Sequence, residues 1–279
     1  MASVTERVKE IKQPRGGYIK PSEFEVVDMN DGITLNEEEN IHASVTGMVV
    51  DYLTRFTLGM DLIDTFQISL MGAMYAKQMG GIKKADKVAH ALLAGINGLD
   101  DKSIDSACKL VAFDVWFRNP MAAMMAKPYT EINPDKATIE NIRTLVNRST
   151  AFFEKYGPVV KSGFTFSPVI EDEKTYEKMI KTGKGTYGGY TPTVDSGDGD
   201  FLTADTIWDF KVLKSKPTNK QTLQLLMYWI MGQHSGQDIY KSITKLGIFN
   251  PRLNEVYLLE MNNVSELLIK EIENTVICY

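Results

Sequence analysis

Residues 196–212 read SGDGDFLTADTIWDFKV and gather Asp198, Asp200, Asp209 and Lys211 among strand-forming residues. Three carboxylates and an ammonium at this spacing can form a solvated turn, a calcium loop or a catalytic metal site, and each makes its own demand. An EF-hand loop needs oxygen ligands at positions 1, 3 and 5, glycine at 6 and glutamate at 12. Started at Asp198, that register puts Leu202 and Thr203 at positions 5 and 6; started at Asp195, it puts Gly197 and Gly199 at 3 and 5. Neither supplies the oxygens, so the calcium reading fails on spacing.

A hairpin does better. With Ala204-Asp205 as a two-residue turn, Thr203 faces Thr206, Leu202 faces Ile207, Phe201 faces Trp208 and Asp200 faces Asp209. Directly opposed residues share a sheet face with Cβ atoms about 5 Å apart, and alternation adds Asp198 and Lys211 to that face. Ala-Asp lacks the glycine such turns favour, so a longer loop would shift the pairing. Opposed carboxylates repel unless a cation lies between them. Magnesium accepts one or two carboxylates and leaves its other positions to water and phosphate oxygens. Lys211 on the same face can orient the attacking group or neutralise developing charge.

The elements that must hold these residues follow from periodicity. Residues 41–58 place Ile41, Val45, Met48, Val49, Tyr52, Leu53 and Phe56 at three- and four-residue steps, and similar helical patterns cover 62–79, 86–96, 102–117 and 137–155. Gly59, Gly80-Gly81, Gly95 to Gly98 and Asn133-Pro134 separate them. Met71, Met74, Met79, Met121, Met124 and Met125 are expected to fill gaps between packed helices, with a ligand-binding methionine surface as the alternative. After Tyr156 the character changes to glycine-rich loops and short extended pieces, including Gly183, Gly185, Gly188 and Gly189. Two hairpins, 201–212 and 246–261, bracket a helix that starts at Thr218 or Asn219 and stops at Gly232, and a last helix covers 265–276.

Asp200 beside glycine in GDGD, followed by Asp209-Phe210-Lys211 at a strand end, resembles the PD-(D/E)XK nuclease signature. Gln224-Leu225-Leu226-Met227-Tyr228 in the next helix is similar to the Q-L-x-x-Y motif of the RecB-like branch. The conjunction is far more specific than a lone D-x-K; it covers about residues 185–260 strongly and the helical half weakly. The resemblance implies an α/β (α+β) fold: a helical N-terminal region, 1–156, packed as one compact unit on an α-β-β-β-α-β core with a mixed sheet, 157–279. It implies magnesium or manganese as cofactor and phosphodiester hydrolysis, usually of DNA.

Carried over by position, Asp200 is the first metal ligand, Asp209 the second, Lys211 the catalytic lysine, and Gln224 and Tyr228 the supporting helix pair, with Asp198 as alternative first ligand. An ordinary amphipathic helix is the plainer account of Gln224 and Tyr228, though four-residue spacing puts both on one edge. Family members often carry a histidine in an upstream G-x-x-x-H; here Gly47 is followed by Asp51, which is therefore a candidate metal ligand, and His42 is the other candidate or simply a structural histidine. Members with an iron–sulfur cluster need four cysteines, and this chain has two, Cys108 and Cys278, expected as free thiols.

The net charge of -5 over 279 residues does not advertise a nucleic-acid binder. Lysines nevertheless cluster on either side of the acidic segment, at Lys174, Lys178, Lys181 and Lys184, then at Lys211, Lys214, Lys216 and Lys220. Lys214, Lys216 and Lys220 are the candidate nucleic-acid contacts; solvated faces are the alternative. No apolar run approaches a membrane span of about 18 residues and no signal peptide opens the chain, so a cytoplasmic protein is expected. The leading expectation is a Mg/Mn-dependent nuclease acting on DNA, with RNA as the alternative substrate. Its alternatives are an idle nuclease fold that binds nucleic acid or protein, and a metal-binding hydrolase unrelated to nucleic acid. A Walker motif is absent, so unwinding would fall to a partner helicase, and defence and mobile-element roles fit equally.

Overall fold

A computed structural model describes residues 2–169, 174, 177 and 188–279. The chain divides into a sheet unit, Met1–Asn30 with Tyr156–Tyr279, and a helical unit, Asp31–Lys155. The junction at 155/156 falls beside the expected change of character. Residues 1–30, expected with the helical half, belong instead to the sheet unit.

That unit contains β1 (Ala2–Ser3), β2 (Glu25–Asp28), β3 (Lys161–Thr165), β4 (Val194–Ser196), β5 (Asp198–Leu202), β6 (Thr206–Phe210), β7 (Lys245–Asn250) and β8 (Glu255–Glu260). Six of them form one mixed sheet in the order β2-β8-β7-β6-β5-β3, where only β6 and β7 run parallel. β1 and β4 make a separate parallel pair. The β6 sequence TIWDF is buried on both faces through Asp209, as a central strand requires.

The Asn219–His234 helix starts at a capping box, in which Thr218 and Gln221 satisfy each other's backbone N–H groups. It buries Leu223, Leu225, Leu226, Met227, Tyr228 and Ile230 and so is apolar on most sides rather than on one stripe. The sheet covers one side, and the N-terminal segment covers another through Val4, Val8, Ile19 and Phe24, which join the same core. The Thr222 hydroxyl donates to the Ile19 carbonyl at 2.6 Å, fixing that segment in place. Residues 1–30 thus complete the sheet core. Gly232 does not stop this helix: a Cβ there would lie 2.4 Å from the Tyr240 ring, so the glycine serves close packing inside the helix.

The helical unit contains helices Ala43–Thr57, Leu62–Thr65, Gln67–Gln78, Ala85–Leu93, Asp101–Val111, Asp114–Arg118 and Pro120–Ala123, and nearly all of Lys136–Tyr156. The helix expected over 62–79 breaks at Phe66, whose fully buried ring meets Tyr52 edge-on at 5.3 Å. The one expected over 102–117 is broken at Ala112-Phe113.

The methionines depart from expectation. Met74, Met79, Met121, Met124 and Met125 are exposed, and Met71 is half-buried. The Gln67–Gln78 helix packs instead through Ser69, Gly72, Ala73 and Ala76, a stripe of small residues at helical spacing that turns the methionine side outward. Among the described residues, no helix is long and apolar enough to cross a membrane.

Candidate active site

The hairpin register is the one the sequence predicts. Phe201 pairs with Trp208 and Leu202 with Ile207, and the Thr203 N–H donates to the Thr206 carbonyl at 3.0 Å across Ala204-Asp205. One step outward the ladder changes. The Lys211 N–H donates to the Phe249 carbonyl of β7 at 2.9 Å, so by alternation the Phe210 N–H points toward β5. Its acceptor there is the Asp200 side chain, Oδ2, at 2.6 Å. Asp200 is thereby held against the strand that carries Asp209.

Asp209 is 2% exposed, and its Oδ1 accepts the Lys211 ammonium at 2.8 Å. Its Oδ2 is buried and receives no N–H donor; the Asp200 carboxyl is the group within hydrogen-bond reach, so the two acids meet there and only a shared proton or a cation can satisfy both. A buried carboxylate oxygen left open runs against the general rule that interior polar atoms are satisfied. Burial raises the Asp209 carboxyl to about 6, the adjacent Asp200 pushes the same way, and Lys211 pulls it back. Burial alone would depress the Lys211 ammonium, but the Asp209 and Asp200 carboxylates override this and raise it. Two acids and one cation therefore share a small, poorly solvated volume at the end of β5 and β6.

The helix pair meets as expected from its four-residue spacing. Gln224 Nε2 donates to the Tyr228 oxygen at 2.8 Å and to Thr5 Oγ1 at 3.2 Å, and the Tyr228 hydroxyl donates to the Asp198 carbonyl at 3.0 Å. Burial raises the Tyr228 phenol, and the charges of Asp209, Asp200 and Asp198 add to the rise, which records how near the ring lies to all three. This pair secures the backbone at the start of β5. The Asp198 side chain is exposed.

Asp51 belongs to the helical unit, where both its oxygens accept from the Arg55 guanidinium at 2.9 Å, a bidentate pair within one helix. His42 caps that helix, its Nδ1 accepting the Ser44 N–H at 3.2 Å. Lys214, Lys216 and Lys220 are exposed. Of the upstream lysines, Lys174 is exposed, whereas Lys178, Lys181 and Lys184 lie outside the described residues, as do Gly183 and Gly185. Among the described residues no group of three or more His, Cys, Asp or Glu side chains is arranged to hold a metal.

Two residues escaped the sequence reading. Thr5 reaches Gln224, and the S-x-x-E pattern of Ser3 and Glu6, a realised capping box, was the signal for its helix. Asn250, fully buried, accepts the Leu213 N–H at 3.3 Å and donates to the Leu213 carbonyl at 2.9 Å, clamping the loop that carries Lys214 and Lys216. The Asn250-Pro251 pair marked a turn there. No protein-family model, no curated protein and no solved structure matches this chain.

Proposed function

We propose that the chain is a metal-dependent nuclease of the PD-(D/E)XK type, RecB-like branch, hydrolysing phosphodiester bonds with DNA as the first substrate. The observation that carries this reading is the buried Asp209 Oδ2, which no N–H group satisfies and which meets the Asp200 carboxyl beside Lys211. A carboxylate that served only packing would have both oxygens satisfied; one that receives a cation needs an oxygen kept open. The order of helix Val4–Glu10, then β3, β5, β6, helix Asn219–His234 and β7, with β6 and β7 parallel, supports the α-β-β-β-α-β assignment. On this assignment residues 31–155 are inserted between the first core helix and the first core strand.

Asp200 and Asp209 would hold magnesium or manganese, an ion content with two carboxylates when water and phosphate complete its shell. Such an ion would supply Lewis acidity toward the scissile phosphate and lower the pKa of water so that hydroxide is available as the nucleophile. Lys211 keeps a permanent positive charge beside the acids and offsets negative charge that grows on the phosphate in the transition state. Tyr228 and Gln224 act by position: they fix the β5 backbone from which Asp200 projects. Lys214, Lys216 and Lys220 contribute phosphate contacts on a chain whose overall charge opposes DNA.

The test is purified protein incubated with labelled linear, circular, single- and double-stranded DNA and with RNA, in magnesium, manganese or chelator. Cleavage with either metal and none with chelator is expected. Folded protein that leaves every substrate intact in both metals transfers the assignment to an idle fold acting as a binding module.

A further inference from the structure

The helical unit carries a surface with a separate use, independent of the nuclease reading. Met121, Met124 and Met125 are 76%, 69% and 90% exposed, and Met74 and Met79 are about half exposed. Met74 and Tyr75 line one depression and Met124 another, with Met121 and Met125 close to Met124 in the chain. Tyr75 of the Gln67–Gln78 helix touches the Phe117 ring at 5.9 Å, and Phe117 lies in the helix just before Met121. Beyond it, Trp116, Gly81, Ile82 and Met124 line a depression of about 360 Å³ that also includes Lys127. Gly81 is required there, since a Cβ would come within 2.4 Å of the Trp116 indole.

Three cations on this face are open. Segments 66–84 and 115–130 contain Lys77, Lys83, Lys84, Arg118 and Lys127 and no aspartate or glutamate, with Asp64 and Glu131 just outside them. Lys77 pairs with Asp86 at 2.6 Å and Arg118 with the buried Asp114 at 3.7 Å, whereas Lys83, Lys84 and Lys127 are exposed and form no salt bridge among the described residues. These three lysines give the face a local positive charge in a chain of net charge -5.

We propose that this methionine face docks an acidic amphipathic helix of a partner protein. Exposed apolar patches of this kind mark interaction sites. Unbranched, polarisable methionines re-pack around the apolar edge of a helix, and the Trp116 depression receives an anchor side chain. Lys83, Lys84 and Lys127 at the rim match carboxylates on the polar face and steer association.

The probe is a fluorescent amphipathic peptide of about five helical turns, leucine and phenylalanine on one face and glutamate on the other. Its counterparts carry lysine for glutamate, or the same residues scrambled. Full-length protein should bind the glutamate peptide with micromolar affinity and the other two at least about tenfold more weakly. The Met121→Gln, Met124→Gln, Met125→Gln combination and the Lys83→Glu, Lys84→Glu pair should each weaken it about tenfold, with melts confirming that the variants fold. Selective shifts of labelled methionine methyl signals place the contact. Absent binding, equal binding of all three peptides, or full affinity in the methionine variant overturns the proposal. So does single-stranded DNA that displaces the peptide and itself loses affinity in the methionine variant, which would make the face a nucleic-acid surface.

Discussion

Asp114 in the helical unit and Asp209 in the sheet unit are both buried aspartates whose carboxyls burial raises above the usual value. Their surroundings differ. Asp114 accepts the Tyr52 hydroxyl at 2.6 Å and the Ser69 hydroxyl on its other oxygen, and Arg118 lies 3.7 Å away. Asp209 has one cationic donor, Lys211, a second acid within hydrogen-bond reach, and an oxygen that no N–H group satisfies. Burial and a raised pKa therefore do not by themselves single out a functional acid; an unsatisfied oxygen next to a like charge does. Asp114 is an acid that holds helices together, whereas Asp209 is the acid to which the proposed function gives a cation.

The largest expected effect falls on the structural acid. Asp114→Ala strands two buried hydroxyl groups, those of Tyr52 and Ser69, so denaturant unfolding should show a loss of about 3–5 kcal/mol. A loss below about 1 kcal/mol would dissolve the contrast with Asp209. Lys211→Ala should lower turnover by about 10²- to 10³-fold while leaving manganese affinity by calorimetry nearly unchanged, because the ammonium offsets charge and does not ligate. If the lysine variant loses metal as completely as Asp209→Asn, the two roles have been misassigned.

A pH dependence separates the acids further. The folded Asp209 carboxyl sits at about 6, above its unfolded value near 4, so the folded state binds this proton more tightly. Its contribution to stability is full below about pH 4 and is lost as pH rises through about 6. Unfolding in chelator should show wild type losing about 3 kcal/mol relative to Asp209→Asn between those limits. A flat difference would mean that Asp209 titrates normally and is not desolvated. The smallest effect is electrostatic: replacing Lys214, Lys216 and Lys220 with glutamine should reduce the slope of log DNA affinity against log salt by up to about 0.9 per lysine, with little change in stability. An unchanged slope moves the phosphate track to other residues.

The hairpin of β5 and β6 was legible because its information is local. A two-residue connection fixes the register, and Phe201, Trp208, Leu202 and Ile207 then fall opposite one another. The Gln224–Tyr228 contact follows from helical spacing in the same way. The N-terminal segment was not legible: β2 pairs with β8, and Arg7 bonds the Val276 carbonyl, so the partners that give residues 1–30 their structure are distant in sequence. Helical period marks Met74 and Tyr75 as one side of a helix, but period cannot say which side is covered. Ser69, Gly72, Ala73 and Ala76 took the packed side because small residues admit a closer neighbour. The Asp209 oxygen that no N–H group satisfies could be located only with the side chains in place.

The central claim is that Asp209 keeps an oxygen open for a metal ion, and thermal melts of wild type and Asp209→Asn with and without manganese test it most directly. Without metal the asparagine variant should be as stable as wild type or more so, since one of two neighbouring negative charges is gone. Manganese at a hundredfold excess over its Kd should stabilise wild type by about 2.7 kcal/mol and the variant much less. A variant that melts well below metal-free wild type, or that gains as much from manganese, would show that Asp209 is a structural acid like Asp114 and would contradict the account.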